Sequence, residues 1–253
     1  MNQDKILTSD RQQPREFQPE KNPDLAEVTS SMVRDLQAPL RSLTMFTELL
    51  SKEYQDDLDE KGQLYLDRIS ASGSRMQNLI EDLLTYSHTA TGEQTWITVD
   101  LNQTVALVQS DLQSAIADTG AKITVDDLPQ LLLNPQEIYQ LFKNLIDNAI
   151  KFSDRPPQID ISVTARGEEW LFAIEDRGIG IAPEFQSQIF EVFQRLHPDN
   201  VYSGSGIGLA ICQKIVQRYE GIIWVESQLG RGSTFYFTLP INVYPQAPDA
   251  KIV

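Results

Sequence analysis

The 253-residue chain has room for one large domain or two small ones. Its 36 acidic and 21 basic residues leave a net charge of −15, which argues against a nucleic-acid partner and against an anionic membrane surface, since both need a basic footprint. No apolar run approaches the roughly 20 residues of a membrane span, and the polar start has no apolar signal core, so we expect a cytoplasmic protein without membrane insertion.

Residues 1–23 hold too little apolar surface to offset ordering entropy and read as a flexible polar leader. From residue 24, Leu25, Val28, Met32, Leu36, Leu40, Leu43, Phe46 and Leu50 recur at helical steps, with Pro39 expected to bend the axis. After a polar joint at 55–60, Leu64, Ile69, Met76, Leu79, Ile80, Leu83 and Leu84 mark a second helix. The pair, residues 24–90, predicts an antiparallel hairpin with an uncovered apolar stripe. Two copies forming a four-helix bundle would cover it, so a homodimer is expected; the alternative is packing on the chain's own C-terminal part.

Residues 90–95 read as a hinge. Strands are expected at 96–99, 122–125, 159–165, 170–175, 222–226 and 234–239. Helices are expected at 101–117, at 135–152 behind an Asn134-Pro135 start, and at 207–219. The lone Cys212 falls in the last helix as a small buried hydrophobe. The mixture predicts an α+β fold, helices on one face of a sheet, over 96–240, with a loose tail at 241–253.

Three short pieces share chemistry. Asn144, Asn148 and Lys151 lie on one helix face; amide oxygens suit Mg²⁺ and the ammonium suits phosphate, although a solvated polar face explains them equally. Asp176-Arg-Gly178-Ile-Gly180 follows a strand, where a carboxylate can accept from an adenine amine, or can simply start a turn. Gly204-Ser-Gly206-Ile-Gly208 opens a helix, an arrangement that favours phosphate, with 194–206 as a mobile lid.

In this order and spacing the pieces resemble the N, G1 and G2 boxes of the histidine kinase ATP-binding domain. Phe190-Glu-Val-Phe193 is similar to its F box and Gly230-Arg-Gly232-Ser233-Thr234 to its last glycine motif. Phe193-Gln-Arg-Leu-His197 and Ile223-Trp-Val-Glu-Ser227 resemble the phytochrome-type kinases. The resemblance implies a dimeric hairpin followed by an α/β sandwich of the gyrase type that binds ATP and Mg²⁺. By it, Asn148 and Asn144 hold the metal, Lys151 meets phosphate, and Asp176 reads adenine. Phe152 and Thr234 line the base, while Gly178, Gly180, Gly204, Gly206 and Gly208 shape the pocket and lid.

The first helix departs from that pattern. Val33-Arg34-Asp35 stands where relatives carry Ser-His-Asp, so Arg34 occupies the phosphoacceptor position. A guanidinium stays protonated and has no lone pair for phosphorus, and Asp35 is left with nothing to activate. His88 and His197, the remaining histidines, are poorly placed as acceptors. A phosphatase role is unsupported, because Ala38 stands where relatives of that kind place Thr or Asn. The expectation is a two-component kinase-family module that binds Mg-ATP and does not phosphorylate itself. Its partner is a response regulator or a second histidine kinase; the alternative is a non-catalytic, ATP-gated scaffold. A free-standing ATPase is disfavoured by Asn144, where gyrase-type enzymes carry Glu.

Overall fold

The computed structural model describes residues 23–91, 95–196, 202, 204–241 and 251–252. The apolar periodicity of the N-terminal third yields two long helices, α1 (Pro23–Tyr54) and α2 (Glu60–Thr91), joined by one tight turn at Gln55–Asp57. The Asp59 carboxylate caps α2 by accepting from Gly62 N at 2.8 Å. Pro39 lies inside α1, which continues past it. Val33, Leu40 and Leu66 are buried between the helices. Thr44 and Thr47 are buried there too, and donate back to the Leu40 and Leu43 carbonyls at 3.0 and 2.8 Å. A Cβ on Gly73 would lie 3.3 Å from Thr44 Oγ1, which sets the register of the hairpin. Residue 34 of α1 is therefore about level with residue 83 of α2.

Much of the hairpin's apolar stripe stays uncovered: Phe46 is 59% exposed, Leu50 50%, Leu64 48% and Ile69 48%. The upper part of α2 behaves differently, since Leu79, Leu83 and Tyr86 pack on the C-terminal core. The chain's own C-terminal core thus covers the upper stretch of α2 and leaves the rest of the stripe exposed.

The C-terminal part is built from β1 (Thr95–Asp100), α3 (Leu101–Asp111), α4 (Gln113–Thr119), β2 (Lys122–Val125), β3 (Gln130–Leu133) and α5 (Pro135–Lys151). It continues with β4 (Gln158–Arg166), β5 (Glu169–Asp176), α6 (Gly208–Arg218), β6 (Ile223–Gln228) and β7 (Gly232–Pro240). Five strands form one sheet in the order β2-β4-β5-β7-β6; β2 pairs with β4 in parallel and the other neighbours are antiparallel. Helices α5 and α6 lie side by side against it. Ile161, Phe172, Ile174, Phe235 and Phe237 meet the buried stripe of α5, which includes Ile138, Phe142, Leu145 and Ile146. This is the α+β arrangement expected.

Three details differ from the sequence reading. The helix expected at 101–117 breaks at Leu112, whose backbone leaves helical geometry (φ −90°, ψ 10°) and divides α3 from α4. Gln130–Leu133 forms an unexpected strand paired antiparallel to β1, because three consecutive leucines carry no alternation to read. In the tail, β8 (Lys251–Ile252) pairs in parallel with Thr95 and Trp96, so that end is not loose throughout. Most of the leader, the centre of the hinge and residues 242–250 lie outside the described residues.

Helices α5 and α6 run antiparallel and are pinned at the end remote from the glycine motifs. Arg218 Nη1 meets Glu137 Oε1 at 2.6 Å, Tyr219 OH donates to Glu137 Oε2 at 2.9 Å, and Asn134 N donates to Tyr219 OH at 3.0 Å. Burial pushes the Glu137 carboxyl pKa up, while Arg218 and Tyr219 oppose that shift.

Candidate functional site

Asn134 accepts from Gln136 N and Glu137 N, and Pro135 opens the helix, so α5 starts where its cap residues dictate. Its polar face then carries Gln140, Asn144, Asn148 and Lys151. Asn144 is engaged at both ends of its amide. Its Nδ2 donates to Gly208 O at 3.0 Å, and its Oδ1 accepts from Gln140 Nε2 at 2.9 Å. It fastens α5 to the first residue of α6. The Asn148 side chain makes no hydrogen bond among the described residues. Lys151 reaches the glycine loop: a Cβ on Gly204 would lie 2.6 Å from its Nζ. Burial lowers the Lys151 pKa; Asp147 counters this and Arg195 adds to it.

Asp176 ends β5 and is only 7% exposed. Its Oδ1 accepts from Gly178 N at 2.8 Å and Ser233 N at 3.2 Å. Burial pushes its carboxyl up to about 6 against those two bonds, and Glu175 reinforces the shift. Two glycines make the packing possible. At Gly178 a Cβ would lie 2.3 Å from Phe152 O, and at Gly232 (φ 108°) 2.0 Å from Asp176 O. Phe152 caps α5, accepts from Ile179 N at 2.9 Å and so joins the end of α5 to the Asp176 turn.

Residues 197–201 and 203 of the expected lid lie outside the described residues; backbone groups hold the stretches on either side. Phe193 N donates to Gly206 O at 2.9 Å, with Phe193 in the left-handed region (φ 65°) and its ring 60% exposed. Arg195 Nη2 donates to Tyr202 O at 2.8 Å. The Tyr202 ring lies 5.0 Å from that of Phe152, and its hydroxyl donates to Asp154 at 2.9 Å. The structure therefore brings Gly204 against Lys151, Gly178 against Phe152 and Asp176, and Gly208 against Asn144, while Gly180 packs on Gln228 and Leu229.

Over residues 133–243 the chain matches the family described as histidine kinase-, DNA gyrase B-, and HSP90-like ATPase, and over residues 24–92 the His Kinase A (phospho-acceptor) domain. The chain belongs to the sensor histidine kinase family. Cyanobacterial phytochrome A of Nostoc sp. (strain PCC 7120) is 43% identical over 222 residues, which are 87% of this chain and 29% of that relative. The chain thus spans less than a third of that relative's length. Among solved structures, full-length ShkA in complex with AMPPNP superposes with a TM-score of 0.69 at 24% identity, covering 87% of this chain and 46% of ShkA. Histidine kinase ThkA in complex with response regulator protein TrrA gives 0.61 at 19% identity, covering 89% and 66%. At these identities the two structures show the fold. Residues 95–132 lie outside both family matches, yet Trp96, Leu101, Val108 and Leu131 belong to the same histidine kinase core.

One site residue needs correction. Thr234 pairs with Glu175 across the β5–β7 ladder, whereas Ser233 pairs with Asp176. Side chains alternate along a strand, so Thr234 faces the side of the sheet away from Asp176. Ser233, buried and hydrogen-bonded to Ser227 Oγ at 2.9 Å, takes its place beside the carboxylate. Arg195, two residues beyond Phe193, is a further cation beside a loop suited to phosphate. Arg34 and Asp35 lie on α1 and His88 on α2, where only the backbone is described; His197 lies outside the described residues.

Proposed function

We propose that this chain is the kinase portion of a two-component pathway, binding Mg-ATP and passing a phosphoryl group to a histidine on a partner. The carrying observation is Asp176: a buried carboxylate at a sheet end, steadied on one oxygen by Gly178 N and Ser233 N. Its other oxygen then accepts from the adenine amine. Phe152 walls the base, Lys151 offers charge to the phosphates, and Arg195 adds a second cation beside it. Asn148, with its amide uncommitted, holds Mg²⁺, while Asn144 positions α6. Among the described residues no group of three or more His, Cys, Asp or Glu is placed to hold a metal. A magnesium ion held by Asn148 would take its remaining ligands from phosphate oxygens and water. Phosphoryl transfer asks mainly for such positioning and charge neutralisation.

The uncovered stripe on α1 and α2 supports dimerisation through the hairpin. Arg34 at the acceptor position supports transfer to another chain, and equally the second reading, a nucleotide-gated scaffold. Incubation with labelled Mg-ATP and a histidine-bearing hairpin from a partner kinase separates them. We expect label on the partner and none on this chain; nucleotide binding without transfer supports the scaffold, and no binding overturns both.

Asp176 also sets a pH dependence. Protonation removes the acceptor, so nucleotide affinity falls as pH drops through about 6, by about tenfold for each further unit. Fold stability of the nucleotide-free chain moves the other way. The folded state favours the protonated carboxyl, so this contribution is complete below the ordinary carboxylate value of 3.8 and is lost as pH rises through about 6. Calorimetry and thermal melts at pH 7.5, 6.5 and 5.5 check the two opposed trends.

A further inference from the structure

The upper part of α2 is tied to α6 through Lys214. Lys214 Nζ donates to the Tyr86 carbonyl at 2.6 Å and lies 3.9 Å from the centre of the Tyr86 ring. A charge-assisted hydrogen bond and a cation–π contact thus act together, over the apolar contact of Leu79 and Leu83 with the core. One turn before Tyr86, the half-buried Asp82 carboxylate faces the Ser205 hydroxyl. Burial raises its pKa, Ser205 and Lys143 oppose that, and Glu81 and Asp147 reinforce it. Ser205 sits between Gly204 and Gly206, directly before the start of α6, and Gly204 rests against Lys151. The hairpin therefore lays a carboxylate on a loop and helix start whose backbone favours phosphate. It does so about level with residue 34.

We propose that Asp82 is a residue of the nucleotide site: docked through Lys214 and Tyr86, it stands where the terminal phosphates approach the glycine loop and repels them. The docked arrangement is then the low-affinity state. Coupling is reciprocal, so displacing the hairpin tightens nucleotide binding and bound triphosphate loosens the hairpin. This inference rests on the nucleotide-binding reading above.

Calorimetry of Mg-ATP on the full chain and three variants tests it. Asp82→Asn keeps the shape and removes the charge, and binds about tenfold more tightly. Lys214→Ala releases the latch, tightens binding in the same direction, and speeds amide exchange over residues 79–87. Glu81→Gln removes an equal charge from the neighbouring exposed position and leaves affinity unchanged. Native binding with no gain for Asp82→Asn, or an equal gain for Glu81→Gln, overturns the proposal alone. Absence of Mg-ATP binding by the native chain and by every variant overturns the nucleotide reading and this inference with it.

Discussion

Exchange of Asp176 for Asn is expected to weaken Mg-ATP binding by about 100-fold while leaving the fold intact. Asn keeps an oxygen for Gly178 N and Ser233 N, which donate to Oδ1 at 2.8 and 3.2 Å. That orientation turns the amide NH₂ towards the base, so a donor meets the adenine amine. Losing a charge-assisted hydrogen bond and setting two donors face to face costs about 3 kcal/mol. The thermal midpoint holds or rises, because the carboxyl, pushed up to about 6 by burial, no longer has to ionise in the folded state. Asp176→Ala behaves differently: it leaves two buried N–H groups unpaired and lowers stability by about 1–3 kcal/mol. Calorimetry beside thermal melts distinguishes the two variants. Native-like affinity in the Asn variant would remove Asp176 from the base-reading role.

Arg34→His is expected to create self-phosphorylation where the native chain shows none, with acid-labile label at least about 100-fold above background. General-base activation of a positioned nucleophile is worth that much or more. Asp35 directly follows the introduced imidazole in the sequence. Labelling of the native chain would end the claim that its acceptor is lost. A silent Arg34→His variant that still binds nucleotide would move the defect elsewhere, with the Asp82 contact the first place to look.

Local signals made most of the fold legible. Asn134-Pro135 announced α5 because cap and first-turn chemistry act within four residues, and both cap bonds form. The strands β4, β5 and β7 were readable because half-buried strands alternate. The unread pieces fail for physical reasons. Leu131, Leu132 and Leu133 have no alternation, and no Gly or Pro marks the break at Leu112. Around Asp176, the glycine motif points to the segment but not to its face. One residue of register separates Thr234 from Ser233, and only the pairing with β5 decides between them. The Lys214–Tyr86 contact spans 128 residues of chain, a distance over which no local pattern carries information.

The double fastening of α5 to α6 limits how the cleft can open. Glu137 grips Arg218 at one end and Asn144 grips Gly208 at the other, so the two helices can neither slide nor roll past each other without breaking half-buried polar contacts. They form one stiff wedge. A spectroscopic probe pair spanning α5 and α6 is expected to register the same separation with and without added Mg-ATP.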